Sequence, residues 1–181
     1  MGTIDVHEFI SLDGVVSDPS WTAEYGFTDA MGEAIGRLTD AAILLGRNTY
    51  EMFHPAWSAR GHDVESGGAF FNGAPKHVVT STLADPLEWE NSRVLGPYAP
   101  ARIRQLKDAT DGGIYVSGSV TLVRALLADG LVDTLNLFVY PVSLGAGLRL
   151  FAEGARVPLR LRESEAYENG VVRLTYGPPL T

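Results

Sequence analysis

Two apolar runs of this chain each end on a glycine and pass directly into a polar turn typical of a helix start. The first run, Ala41–Gly46, is followed by Arg47–Thr49, and the second, Ile114–Gly118, is followed by Ser119–Thr121. A helix that begins right after a buried strand has unpaired backbone N–H groups at its first turn, and these attract phosphate. The sequence therefore predicts an α/β fold that grips a nucleotide at two strand ends.

Length and charge narrow the function classes. The chain has 181 residues, 45% of them apolar, which predicts one globular domain over residues 1–181. A formal net charge of −8 argues against general nucleic-acid binding, which requires a basic face. Cysteine is absent, which excludes disulfides, and the histidine spacing indicates no metal site. No apolar stretch reaches about 18 residues and no signal peptide is evident, so we expect a cytoplasmic protein without a membrane span.

The periodicity of apolar residues predicts strands that alternate with helices. The predicted strands are Thr3–Ile10, Ala41–Leu45, Lys76–Ser81, Ser92–Leu95, Ile114–Val116, Leu135–Val139, Leu159–Ala166 and Val171–Tyr176. One predicted helix has Phe27, Met31, Ala34, Ile35 and Leu38 on one face, with Thr28 or Asp29 as its N-cap. A second covers Arg47–Phe53, His54–Gly68 is expected to be irregular, and two more helices begin at Pro100 and after Ser119. This order is typical of a mostly parallel sheet with helices on both faces, and Glu168–Gly170 predicts a closing antiparallel hairpin.

Five segments, in order along the chain, resemble known reductases. Leu45–Glu51 and Val116–Leu122 resemble the two phosphate-binding segments of the dihydrofolate reductase fold. Leu131–Leu135 and Leu144–Phe151 resemble the reductase domain of the bifunctional riboflavin-biosynthesis deaminase/reductase, and Phe9–Gly14 is similar to stand-alone relatives of that domain. The resemblance covers nearly the whole chain and implies a dihydrofolate reductase-like fold, NADPH as cofactor and a homodimer.

The resemblance also implies roles for individual residues. It places Arg47 and Thr49 near the cofactor phosphates and Ser11, Leu12, Asp13 and Gly14 beside the nicotinamide and substrate. The residues that it assigns to the adenosine 2′-phosphate and the pyrophosphate are Thr80, Ser81 and Thr82, and Gly118, Ser119, Val120, Thr121 and Leu122.

The chain departs from both patterns near the second glycine turn. The riboflavin-pathway domain carries a substrate-binding glutamate where this chain has Ser117, so a carboxylate contact to the substrate is not expected at this position. Dihydrofolate reductase has two glycines joined by a cis peptide where this chain has Gly118 and Ser119. We predict a cis peptide between these two residues.

The remaining site candidates each have an alternative structural reading. Asp13 and Asp29 are the candidate proton donors, but an aspartate before glycine also suits a turn, and Asp29 also suits the first turn of a helix. Trp21 and Trp57 could form aromatic walls for a planar heterocycle, or simply anchor their loops.

The sequence and its resemblance together predict an NADPH-dependent reductase of a small heterocyclic or phosphoribosylated substrate, similar to 5-amino-6-(5-phosphoribosylamino)uracil reductase. The cofactor supplies the hydride and the protein supplies position and electrostatics. Two alternatives stay open: a dihydrofolate or pterin reductase, and a non-catalytic nucleotide-binding protein of the same fold.

Overall fold

A sheet of eight strands between two layers of helices organises the chain, as seen in a computed structural model that describes residues 1–180. The strands are β1 (Thr3–Ser11), β2 (Ala42–Gly46), β3 (Lys76–Val79), β4 (Ser92–Gly96), β5 (Gly113–Val116), β6 (Thr134–Tyr140), β7 (Arg160–Ala166) and β8 (Val172–Gly177). The helices are α1 (Asp29–Gly36), α2 (Arg47–Ser58), α3 (Gly68–Gly73), α4 (Pro100–Ala109) and α5 (Val120–Ala128), and a 3-10 helix (Pro19–Tyr25) precedes α1.

The strands follow the spatial order β4-β3-β2-β5-β1-β6-β8-β7. The first six are parallel, whereas β8 runs antiparallel to β6 and β7 antiparallel to β8. The predicted mostly parallel sheet with a closing hairpin is therefore confirmed. Strand β5 lies between β1 and β2, so the carboxyl ends of β1, β2, β3 and β5 meet at one edge of the sheet.

Alternating side chains of the strands build a core on each face of the sheet. On one face Ile4 and Val6 of β1 pack with Ile103 of α4 and Leu126 of α5. On the other face β2 packs against α2 and α3. Helix α1 covers the same second face farther along the sheet, at β6. Both faces are thus covered by helices, which leaves the strand ends as the accessible edge.

The structure confirms one predicted helix start and changes the outline of the next two helices. The N-cap expected at Thr28 or Asp29 is confirmed at Thr28, and α1 begins at Asp29. Helix α2 does not stop at Phe53 but continues through Pro55 to Ser58, where Trp57 stacks on Phe71 with ring centroids 3.7 Å apart. Helix α3 was not predicted, because its short length gave no periodic signal. Tertiary packing thus decided where α2 ends.

Candidate functional site

The turn from β2 into α2 touches the turn from β5 into α5. Strands β2 and β5 pair through Ala42 and Ile114, so their ends lie side by side. A Cβ on Gly46 would overlap the Ser119 hydroxyl, and a Cβ on Gly118 would lie 2.8 Å from the Thr49 hydroxyl. The backbone φ of Gly118 is +84°, a value that favours glycine. Glycine at both turns therefore permits the close approach.

The predicted cis peptide between Gly118 and Ser119 is confirmed. Thr49 is buried behind the junction of the two turns. Thr49 was predicted to contact a cofactor phosphate, but its hydroxyl is not exposed. In this position Thr49 supports the turn.

The helices that begin at these turns lack side-chain caps. Within residues 1–180, neither Gly46 at the start of α2 nor Ser119 at the start of α5 provides a side-chain cap hydrogen bond. In contrast, Thr28 caps α1 by accepting a hydrogen bond of 3.2 Å from the amide of Met31. The first-turn amides of α2 and α5 thus keep their hydrogen-bonding capacity, and the helix dipole favours an anion there.

An open cavity of about 350 Å³ lies where these helix starts meet the end of β3. Its wall is made by residues from three strand ends: Arg47, Asn48, Val79, Thr80, Ser81, Thr82, Ser119 and Thr121. The sequence placed most of these residues at a cofactor site from separate segments, and the fold brings them together. Such a wall, rich in hydroxyls and helix-start amides, suits phosphate groups.

Arg47 supplies the positive charge of the cavity wall. Its guanidinium lies 3.2 Å from the Glu51 carboxylate, one helical turn away. Both side chains are nearly half exposed, so this ion pair contributes little to stability. Arg47 can therefore exchange Glu51 for an anionic ligand without disrupting the fold.

The Thr80–Thr82 turn has one structural hydroxyl and two exposed ones. The buried Thr80 hydroxyl accepts hydrogen bonds from the amides of Thr82 and Leu83, at 3.1 and 3.2 Å. Ser81 and Thr82 are exposed at the cavity. Arg102 is a nearby cation, since it lies against Gly96, whose carbonyl accepts the Thr80 amide hydrogen. Thr80 would therefore act on a ligand only indirectly, by holding the turn that presents Ser81 and Thr82.

Two of the residues predicted to cradle pyrophosphate have side chains that point away from the cavity. Leu122 belongs to the core, and Val120 packs against it. Val120 and Leu122 can therefore bind a ligand only through their backbone amides. Thr121 keeps its exposed side chain in the cavity wall.

Asp13 does not have the environment of a proton donor, contrary to one of our expectations. Its carboxylate accepts hydrogen bonds from the Ser11 hydroxyl at 2.7 Å and from the amides of Leu144 and Gly145 at 3.0 and 2.8 Å. The Ser11 bond first, and then the backbone bonds, lower the pKa of Asp13 to about 2. Asp13 is thus an ionised group that ties the β1 turn to the loop after β6.

The other residues of the turn after β1 also help to connect this turn to the loop after β6. The buried Ser11 hydroxyl accepts the Val15 amide hydrogen at 2.9 Å while it donates to Asp13, so it is not free for a substrate. Leu12 is exposed, and Gly14 adopts a φ of +86°. The structure thus gives Ser11 and Gly14 a turn-forming role, and only Leu12 presents its side chain to solvent.

The two tryptophans and Asp29 lie apart from the cavity. Trp21 packs edge-on against Tyr140 at 5.3 Å and donates to the Ser17 carbonyl. Trp57 stacks on Phe71 and does not line the cavity. Asp29 is exposed in the first turn of α1, next to the Thr28 cap. These positions match the structural alternatives, because packing and capping account for all three residues.

Sequence reasoning missed the buried polar side chains of His7, Glu8 and Tyr115. The His7 Nδ1 atom and the Tyr115 hydroxyl are 2.8 Å apart. Among residues 1–180, His7 Nε2 and Glu8 Oε1 are buried without a hydrogen-bond partner. Two polar residues in succession inside an apolar strand were the available signal. The strand prediction used His7 and Glu8 only as members of the first strand and gave them no separate role.

A second cavity, of about 230 Å³, lies at the opposite end of α5, between Leu127 and the chain's last strand. It lacks the helix-start amides of the first cavity. No helix within residues 1–180 is long and apolar enough to cross a membrane. The same residues contain no cluster of three or more potential metal ligands.

The sequence matches the RibD C-terminal domain over residues 3–173. It is 25% identical over 170 residues to the uncharacterized protein YwjB of Bacillus subtilis (strain 168), covering 90% of each chain. It is 23% identical over 172 residues to the uncharacterized protein YyaP of the same strain, covering 91% of this chain and 83% of YyaP.

Solved structures share the fold at low identity. A pyrimidine reductase-like protein from Corynebacterium diphtheriae NCTC has a TM-score of 0.69 at 15% identity, covering 99% of this chain and 92% of that one. Dihydrofolate reductase from Enterococcus faecalis, in complex with NADP(H), has a TM-score of 0.66 at 14% identity, covering 97% and 95%. A deaminase/5-amino-6-(5-phosphoribosylamino)uracil reductase from Thermotoga maritima has a TM-score of 0.70 at 15% identity, covering 98% of this chain and 57% of that one. The fold is therefore dihydrofolate reductase-like.

Proposed function

Because the chain belongs to the RibD C-terminal domain family, we propose that it is an oxidoreductase that uses NADPH to reduce a small heterocyclic substrate. One observation carries the proposal. Two uncapped helix starts, Arg47 and exposed hydroxyls line a single cavity at the carboxyl edge of the sheet. Ligands of open α/β sheets bind at this edge.

The residues present fit the phosphates of a dinucleotide. In the proposed complex the amides of α2 and α5 and the Ser119 and Thr121 hydroxyls bind the pyrophosphate, and Arg47 adds a charged hydrogen bond. Ser81 and Thr82, with Arg102 nearby, bind the 2′-phosphate that distinguishes NADPH from NADH. When bound, the cofactor supplies the hydride, and the protein fixes its position and excludes water.

For the substrate we propose a planar heterocycle of the kind reduced by 5-amino-6-(5-phosphoribosylamino)uracil reductase. Both the family and the Thermotoga maritima structure support this class. Ser117, where the riboflavin-pathway domain carries a glutamate, favours a related rather than identical substrate. A dihydrofolate or pterin reductase is the second candidate, supported by the likeness to dihydrofolate reductase.

A spectrophotometric assay tests the proposal. Purified protein is mixed with NADPH and its absorbance is followed with the aminopyrimidine ribosyl substrate, with dihydrofolate and without a substrate. We expect oxidation of NADPH with one substrate and not in its absence. Tight binding without any turnover would instead support a non-catalytic nucleotide-binding protein. A preference for NADH would contradict the role of Ser81 and Thr82.

Removing the cavity's cation tests the phosphate site directly. Arg47→Ala should raise the Kd for NADPH by roughly tenfold or more, because a charged hydrogen bond contributes about 1.5–3 kcal/mol. Isothermal titration measures this change. Arg60→Ala is the matched control, since Arg60 stacks over Trp57 away from the cavity. An unchanged Kd for Arg47→Ala would remove this arginine from the site.

The resemblance also leads us to propose a homodimer located in the cytoplasm. Light scattering coupled to size-exclusion chromatography should then give the mass of two chains. A single-chain mass at micromolar concentration would contradict the dimer.

A further inference from the structure

Glu8 carries a buried carboxyl group that is not part of the proposed phosphate-binding site. It lies in the middle of β1, and its Oε1 atom has no hydrogen-bond partner among residues 1–180. Burial raises the pKa of Glu8 to about 8, so the group is mostly a neutral carboxylic acid at pH 7. A buried polar atom without a partner is uncommon, and it points to a group outside the chain that satisfies it.

Glu8 stands beside a gap in the sheet. Strand β1 pairs with β6 as far as Ser11, but it pairs with β5 only as far as Val6 and Val116. Beyond Val116 the chain turns through Gly118 into α5, so β1 has no strand on this side from His7 onward. Glu8 is two residues past the last pair, level with the turn that forms the cavity wall.

The residues near Glu8 on the gap side of β1 are buried and titratable. Burial is the main cause that raises the pKa of Tyr115 of β5; the Ser117 hydroxyl opposes the rise and the Glu8 charge adds to it. His7, which precedes Glu8 on β1, contacts the Tyr115 hydroxyl, and burial lowers the pKa of His7 to about 3.

Among residues 1–180, no charged group is paired with Glu8. Its neighbour on β6 is Leu137, which is apolar. On the helices of the same face, Lys107 pairs with Asp133, which also binds the amide of Ile4 near the start of β1. Arg124 of α5 donates to backbone carbonyls of the loop after β6. Glu8 therefore lies beside the gap as a buried acid whose Oε1 atom has no partner among the described residues.

We propose that Glu8 contacts the nicotinamide end of the bound dinucleotide and the substrate beside it, and that it is the acid of the reaction. This inference rests on the proposed function. Since β1 lies next to β5 in the sheet, a dinucleotide held by its pyrophosphate at the Gly118–Thr121 turn would have its nicotinamide end near the gap beside Glu8. Neither Asp13 nor Asp29 occupies such a position.

The acid completes a balanced reduction. When bound, NADPH would supply a hydride, with its two electrons, from C4 of its dihydronicotinamide to the carbon of a substrate C=N or C=O group. The proton of the Glu8 carboxyl group passes to the nitrogen or oxygen of that group. The products are NADP⁺, the reduced substrate and the Glu8 carboxylate, which regains a proton from water.

Titration of Glu8 by carbon-13 NMR tests the contact without any substrate. The Glu8 resonance is assigned by its loss in Glu8→Gln and is followed against pH in four samples of the full chain: free, with NADPH, with NADP⁺, and with 2′-phosphoadenosine diphosphate ribose, which lacks nicotinamide. We expect the cationic ring of NADP⁺ to lower the Glu8 midpoint by about one pH unit or more relative to the ringless ligand, because an adjacent positive charge favours the carboxylate. The exposed Glu33 of α1 is the internal control and should not shift.

The outcomes separate the two proposals. If none of the three ligands binds, the proposed function fails and this inference fails with it. If they bind and the Glu8 midpoint is the same in all complexes, Glu8 does not contact the ring and only this inference fails.

Kinetics test the acid role. Glu8→Gln replaces the neutral acid by a group of nearly the same shape that cannot supply a proton. We expect turnover with the active substrate to fall about 100-fold or more while the Kd for NADPH stays within about twofold. The wild-type rate should fall above about pH 8, where Glu8 ionises, and the variant should lose this limb. A variant with the wild-type rate and pH profile would overturn the acid role.

Discussion

The turn after β1 and the turn after β5 have similar sequences but differ in how their hydrogen-bonding groups are used. Both follow a buried strand, both contain a glycine with φ near +85°, and both carry hydroxyls. In the β1 turn, the Ser11 hydroxyl and the Asp13 carboxylate bind each other and nearby amides. In the β5 turn, Ser119 leaves the amides of α5 uncapped within residues 1–180. Hydrogen-bonding capacity that the chain does not use itself, rather than residue type, distinguishes a ligand site from a structural turn.

The largest effect is expected from a substitution that forces apart the two turns that form the cavity. Gly46→Ala should destabilise the protein by roughly 2–3 kcal/mol, because its methyl group would overlap Ser119, and it should weaken NADPH binding. Chemical denaturation and titration measure the two effects. Gly36→Ala in α1 has open space around it and should be neutral or slightly stabilising. Equal stability of the two variants would show that the turns are not in contact.

A pair of helix-start variants sharpens the contrast. Thr28→Ala removes a cap hydrogen bond and should lower the free energy of unfolding by about 1 kcal/mol without affecting NADPH binding. Ser119→Ala removes no cap bond, so it should leave stability within a few tenths of a kcal/mol and raise the Kd for NADPH. Denaturation curves and titrations of both proteins are compared. The reverse pattern would assign Ser119 to the fold and not to a ligand.

The smallest effect is expected at Asp13. Its folded-state pKa of about 2 lies below the ordinary value of 3.8, so its ionised form stabilises the fold above pH 4 and this contribution is lost as the pH falls toward 2. Asp13→Asn should therefore lower Tm by a constant amount above pH 4, and the difference from wild type should shrink below it. NADPH binding at neutral pH should not change. A gap in Tm that persists at pH 2 would show that Asp13 acts through something other than its charge.

Much of the fold could be predicted because local patterns and tertiary packing agree. The fully apolar Ala42–Gly46 segment is typical of a strand buried on both faces, and β2 is such a strand. The end of α2 could not be predicted, because the stacking of Trp57 on Phe71 lies outside any local window.

Part of the candidate site could also be predicted from local patterns, and part of it could not. Glycine turns after buried strands correctly located the residues that meet at the cavity. The sequence suggested Asp13 as an acid and did not single out Glu8, because the pKa of a carboxyl group depends on burial and on hydrogen-bond donors from other segments. Asp13 receives amides from the loop after β6, more than 130 positions away, whereas Glu8 receives no hydrogen bond at its Oε1 atom from residues 1–180.

The order of the elements, the parallel sheet and the glycines that allow two turns to touch follow from the sequence itself, since they depend on backbone freedom and apolar periodicity between near neighbours. Only the tertiary structure decided which helix starts stay uncapped, which tryptophan packs inward, and which carboxyl group is neutral. Those properties depend on solvent exclusion and on hydrogen-bond partners contributed by distant segments, and a local pattern contains neither.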